Sequence, residues 1–284
     1  MTRRRLATLA ALVAGAVAGL AAREVPLDPI EPSDFVFTMG GYLDASADTQ
    51  WVRVEPLART TDPEPGPIDA DVTLEDLASG ATVALEQEVR TFVTGPAHLF
   101  RTTAPVVPGG RYRVTATGAS GQASSALVEL PTDGTFAIDV TSGVRVCPAT
   151  VTVTGAENVV DVQARYVVER DGRRTAYAFS HADTFEPAEA GGVRASVYFG
   201  DDAERMGLDA VSPVGLVSSQ VVVAVSKAGW PALAGLSVEQ QLQGRSYNVE
   251  NGLGFVGGAI TKRRPFVPGV LEFGFGEVRP CVRG

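Results

Sequence analysis

Alternation of apolar and polar residues at every second position constrains this chain more than any other feature. In QWVRVEPL, Trp51, Arg53 and Glu55 alternate with Val52, Val54 and Pro56. In ADVTLEDL, Val72 and Leu74 point one way while Thr73 and Glu75 point the other, and Tyr112, Val114 and Ala116 repeat the pattern. A period of two marks strands with one buried face. The segments are separated by ASG, PGG and GASGQ, breaks at the spacing of a small antiparallel sandwich. The 31 glycines and 18 prolines fit a turn-rich all-β chain. β and α units do not alternate, which argues against an α/β enzyme core. One segment, 231–243 (PALAGLSVEQQLQ), reads as a helix, with Pro231 at an N1-like position.

The first residues have a different character. Arg3, Arg4 and Arg5 precede an apolar run from Leu6 to Leu20 that closes on small residues, the pattern of an export signal over 1–21. The run is shorter than the roughly 20 apolar residues that span a bilayer. Val17-Ala18-Gly19 would lead into a lipoprotein cleavage site if Cys followed, but Leu20 follows, so no lipid attachment is expected. Residues 22–33, Pro-rich and acidic, read as an extended leader. A first β-sandwich is expected over 34–131. After the short connector PTDGT, a second antiparallel β domain is expected over 135–284, with a hairpin at Asp171-Gly172.

A net charge of −9 argues against nucleic acid or anionic lipid as the main partner, so membrane contact is at most peripheral. Cys147 and Cys281 are the two cysteines, and export would place them where disulfides persist. Either they are bridged, closing a loop of roughly 130 residues worth about 4–5 kcal/mol on the chain-entropy model, or both are free; export favours the bridge. Two cysteines and two distant histidines do not supply a zinc site. No metal or cofactor is expected.

NGLGFVGG, 251–258, carries a G-x-G-x-x-G spacing at Gly252, Gly254 and Gly257. That spacing binds a dinucleotide only between a buried strand and a helix N-terminus. Here RSYNVE precedes it and Pro265 soon follows, so neither neighbour is present. The residues read instead as a two-residue hairpin at Asn251-Gly252 between strands 246–250 and 253–260. Gly254 and Gly257 then mark close backbone approach or a bulge.

YLDASADTQWVRVEPLART, IDADVTLEDLASGATVALEQ, VPGGRYRVTATGASGQASSALVELP and SYNVENGLGFVGG together resemble a family of envelope lipoproteins of unknown function. In that family a carboxypeptidase-regulatory-like or immunoglobulin-like sandwich precedes a second β domain, and an Asn-x-x-x-Gly-x-Gly-Phe/Tyr motif lies in the later part. Asn248, Gly252, Gly254 and Phe255 match it. Relatives are often encoded beside TonB-dependent outer-membrane receptors, so the resemblance implies a periplasmic or outer-membrane-associated role alongside such a receptor. It supplies no catalytic residues, and Leu20 departs from the lipoprotein pattern.

Ser180-His181-Ala182-Asp183 gathers triad residue types, but neighbours in sequence cannot form the spatial relay. His181 reads as a loop or hairpin-end residue and His98 as a strand-edge residue. Asp201, Asp202 and Glu204 lack calcium-loop spacing and read as a solvated turn. Glu86 and Glu88 fall on one strand face, unlike a glycosidase pair flanking a sugar. Lys262-Arg263-Arg264 reads as a solvated hairpin end, or as a dock for an acidic loop. Tyr177, Tyr198 and Tyr247 would form a sugar platform only if the fold gathered them. Two functions follow as expectations. One is a non-enzymatic envelope protein that handles ligands or partners for an outer-membrane transport system. The other is an exported hydrolase or carbohydrate-binding protein with a site built from His98, His181, Asp201 and Asp202.

Overall fold

The computed structural model describes residues 36–57, 66–92, 95–132, 136–188, 191–208, 215–227, 230, 248–273 and 277–283. The expected signal, leader and 231–243 helix lie outside these. The strands are β1 (Phe37–Asp44), β2 (Gln50–Pro56), β3 (Ala70–Asp76), β4 (Thr82–Ala84), β5 (Glu86–Phe92), β6 (Gly95–Thr102), β7 (Arg111–Gly118) and β8 (Ala123–Glu129). They continue as β9 (Ala137–Thr141), β10 (Ala149–Thr154), β11 (Asn158–Arg170), β12 (Arg173–Ser180), β13 (Glu186–Pro187) and β14 (Val193–Val197). After helix α1 (Phe199–Arg205) come β15 (Leu216–Ser226), β16 (Val249–Glu250), β17 (Gly252–Pro265), β18 (Val270–Phe273) and β19 (Glu277–Pro280). The all-β class read from the alternation is the class observed. No helix among the described residues is long and apolar enough to cross a membrane.

An eight-stranded sheet runs β12-β11-β15-β17-β1-β2-β6-β5. A five-stranded sheet, β16-β8-β7-β3-β4, packs against its β1-β2-β6 part, and a four-stranded sheet, β13-β14-β10-β9, against its β11-β15 part. Two cores result. One gathers Met39, Val52, Val54, Phe100, Val114 and Val128; the other gathers Val151, Val162, Tyr166, Val197, Phe199 and Val223. The inward residues are the apolar halves of the alternating segments, as the pleat requires.

Strand β17 belongs to both packings. Its first eight residues run parallel to β1, from Phe37↔Gly252 to Asp44↔Ala259. Its last six pair antiparallel with β15, from Val225↔Ile260 to Gln220↔Pro265. One expectation is corrected, and one pairing departs from the otherwise antiparallel ladders. The β1–β17 ladder is parallel, and residues 249–260 are not the expected hairpin: β16 pairs with β8, at Val249↔Ala126 and Glu250↔Ser125. Asn251 has φ 50°, but Gly252 is not at positive φ, so the dipeptide lacks the two left-handed positions of a type I′ turn. The chain instead crosses there from one sheet to the other. Asn251 O is held by Val36 N at 3.1 Å and Ser124 Oγ at 2.7 Å.

Asp171 and Gly172, at φ 53° and 70°, do form the two-residue turn between β11 and β12. Lys262-Arg263-Arg264 is not a hairpin end but lies within β17, opposite Val223, Val222 and Val221. Lys262 Nζ stands 3.9 Å from the Phe136 ring centre. Cys147 and Cys281 are bonded, with Cα atoms 5.5 Å apart across 134 residues of sequence. Next to the bridge, Gly200 N on α1 donates to Cys281 O at 2.7 Å, and Arg283 Nη1 donates to Asp183 Oδ2, in the turn after β12, at 2.9 Å.

Candidate functional site

Both histidines are buried, each in a different core. His98 sits mid-sheet on β6, between β5 and β2, and is 1% exposed, so it is not a strand-edge residue. Its Nδ1 lies 2.6 Å from Glu55 Oε2 and its Nε2 2.7 Å from Gly66 O. A carbonyl only accepts, so Nε2 donates to it; with Glu55 ionised, Nδ1 donates as well. The ring is used up by its neighbours, and Glu55 also accepts from His98 N and Arg53 Nε.

His181 follows β12 in a loop, as expected, but is 6% exposed. Its Nε2 is 3.1 Å from Asp202 Oδ2, which also accepts from Tyr166 Oη at 2.7 Å. Asp202 is 0% exposed on α1, so the expected solvated turn is a helix with its acid turned inward. Phe199, Asp202, Ala203 and Met206 share the inner face, at the i, i+3, i+4, i+7 spacing of a helix. That spacing was available in the sequence. Asp202 Oδ1 is buried without a hydrogen-bond partner, with Arg205 Nη1 at 3.9 Å. Burial, reinforced by the Asp202 carboxylate, pushes the Tyr166 hydroxyl well above the usual tyrosine range. Asp201 and Asp183 remain at the surface with Arg283, so Ser180, His181 and Asp183 make no relay. Ser180 Oγ instead donates to Asp161 Oδ1 at 2.6 Å.

The open features lie elsewhere, on the outer face of the long sheet. Along β11, Val162, Ala164 and Tyr166 face the core, so Asp161, Gln163 and Arg165 face outward. They form a linked ladder: Gln163 Nε2 donates to Asp161 Oδ2 at 2.7 Å, and Arg165 Nη2 to Gln163 Oε1 at 3.1 Å. Tyr42 from β1 and Trp230 complete a half-open hollow of about 90 Å³ over this ladder, floored by Val222 and Ala259. The Tyr42 and Trp230 ring centres are 6.3 Å apart, and Trp230 meets Phe255 edge-on at 4.9 Å. Beyond Trp230 lies a second hollow of about 200 Å³, bordered by Leu127, Asn248, Phe255 and the Glu129–Lys227 ion pair. Neither histidine lines either hollow.

Two motif residues, Asn248 and Phe255, line the second hollow, and Trp230 borders both. Asn248 Nδ2 donates to Val256 O at 2.7 Å and Leu127 O at 2.9 Å, while its Oδ1 accepts from Val256 N at 3.0 Å. One side chain thus ties β17 to β8. Gly257 lies under the indole, where a Cβ would collide with the Trp230 and Phe255 rings. Glu86 and Glu88 form the solvated face expected of them, paired with Arg101 and Arg90. Tyr177 stacks on Phe179 and does not join Trp230; Tyr198 precedes α1, and Tyr247 is outside the described residues. Tyr42 was missed, because nothing local to MGGYL announces a ring that meets Trp230.

No protein-family model matches the chain, and no curated protein matches it. Solved structures that align with it include two of one enzyme. They are pullulanase from Anoxybacillus sp. LM18-11, 13% identical, and the same enzyme complexed with maltotriose, 12% identical, each with a TM-score of 0.23. Each alignment covers 66% of this chain and 24% of the pullulanase chain, so this chain spans about a quarter of that length. A likeness at that TM-score bears on neither fold nor activity.

Proposed function

We propose that the chain is a non-enzymatic exported envelope protein, a ligand-handling or interaction accessory to an outer-membrane transport system such as a TonB-dependent receptor. The observation that carries this reading is a contrast in access. Both histidines are buried and bonded to carboxylates, His98 to Glu55 and His181 to Asp202. The aromatic hollow beside Trp230 is open, and pairs ring faces with polar groups in the manner of a binding site. A hydrolase needs its acid or base within hydrogen-bond reach of the substrate, and neither histidine borders a hollow beside Trp230. The Cys147–Cys281 bridge supports an oxidising compartment.

The test is affinity capture of the exported protein from native membranes, read by mass spectrometry. Co-purification of an outer-membrane receptor is the expected result. Recovery of the chain with no receptor or surface protein, under crosslinking as well as without it, would refute the accessory role.

A further inference from the structure

We propose that the hollow between Tyr42 and Trp230 is a carbohydrate subsite that takes one pyranose ring, its apolar face on the aromatic rings and its hydroxyls on the β11 ladder. This rests on the ligand-handling reading and names its ligand class. The first ground is size. About 90 Å³ is far below the hollow of a drug-sized ligand and fits one ring seated partly outside the half-open mouth.

The second ground is the chemistry of the lining. Asp161 offers carboxylate oxygens, Arg165 offers guanidinium donors, and Gln163 keeps an amide hydrogen after donating to Asp161. Tyr42 brings a phenol hydroxyl and Trp230 an indole N–H to the same lining. A sugar hydroxyl both donates and accepts, and a ring bearing several of them can satisfy such a mixed set at once. An apolar side chain inserted here would leave the same groups unpaired, at the full cost of desolvating them. A phosphate or carboxylate ligand would meet Asp161 as well as Arg165. The third ground is the ring pair. Tyr42 is 43% exposed, an unusual outlay of aromatic surface on a strand, and its ring is tilted 58° to that of Trp230, so the two make a corner and not a flat lid.

The experiment is a titration of the full exported chain carrying Trp51→Phe, so that indole fluorescence reports Trp230 alone. The probes are maltohexaose, cellohexaose, xylohexaose, mannohexaose and chitohexaose, with N-acetyl-tyrosinamide as a side-chain mimic. At least one glycan should change the emission saturably below about 10 mM. Calorimetry with the same glycan should show at least a 10-fold loss of affinity in Trp230→Ala and a several-fold loss in Tyr42→Phe. Tyr42→Phe keeps the ring packing, so it reads the hydroxyl even if Trp230→Ala misfolds. The assignment is overturned if no glycan binds, if binding is unaffected by both substitutions, or if only N-acetyl-tyrosinamide binds, which would make the hollow an anchor for a protein side chain. Receptor capture that persists while all glycans fail would remove the sugar assignment and leave the accessory role standing.

Discussion

Gly254 lies against Met39 in the parallel β1–β17 ladder so closely that a Cβ on the glycine would collide with the Met39 carbonyl oxygen. Its φ of +106° is a conformation that side chains rarely adopt. Space and backbone therefore both exclude other residues, and the motif glycine reads as a packing requirement of the strand shared by the two cores. Gly254→Ala is expected to cost about 1–3 kcal/mol or more, measured as the urea midpoint. Gly40→Ala, one residue along β1 from Met39 with nothing within 4 Å of the added Cβ, is the control and should stay within about 0.5 kcal/mol of the parent.

Removing the Asn248 side chain breaks three hydrogen bonds and leaves the backbone groups of Val256 without those partners. Asn248→Ala should destabilise by about 1–3 kcal/mol. Hydrogen exchange should locate the loss at the β17–β8 contact, with protection of the β10–β14 ladder unchanged.

Tyr166 and Tyr42 set a limit on the alkaline side. Burial, then Asp202, raises the Tyr166 hydroxyl above its ordinary value; burial, then Asp44, raises that of Tyr42 against the opposing effect of Arg165. A folded-state value above the unfolded one means the folded chain holds more protons once pH passes about 10. Stability is intact below that pH and falls as pH rises beyond it. In a titration followed at 295 nm, fewer than the six tyrosines should ionise before the folded circular-dichroism signal is lost. Ionisation of all six near pH 10 in a folded chain would contradict the buried Tyr166–Asp202 bond.

Cys147–Cys281 holds the chain end, beside the Gly200–Cys281 and Arg283–Asp183 contacts. The double substitution Cys147→Ser, Cys281→Ser is expected to cost about 4–5 kcal/mol on the chain-entropy model. Glutamyl endopeptidase should then cut first after Glu277, before Glu129 in β8.

The fold class was legible because alternation is local: Val52 and Val54, or Val72 and Leu74, declare an inward face without reference to any partner. The Asp171-Gly172 turn was legible for the same reason. The pairing of β17 with β1 was not, since it joins residues more than 200 apart and Asn251-Gly252 has the composition of a local hairpin. The site divides in the same way. Asp161, Gln163 and Arg165 stand at i, i+2 and i+4 on one strand, a pattern present in DVQAR that by itself does not tell a binding face from ordinary strand surface. Only the fold brings Tyr42 and Trp230 over that ladder. The buried role of Asp202 was masked by the acidic run around it, although Phe199, Ala203 and Met206 carried the helical period.

The non-catalytic reading is tested most directly by incubating the purified exported chain with the five glycans and a panel of aryl and alkyl esters. New reducing ends and released acid are then measured against buffer. The account predicts rates equal to buffer for the parent chain, for His181→Asn and for His98→Asn. Turnover by the parent that is lost in either histidine variant would contradict it, and would mean that one of the enclosed clusters opens to substrate.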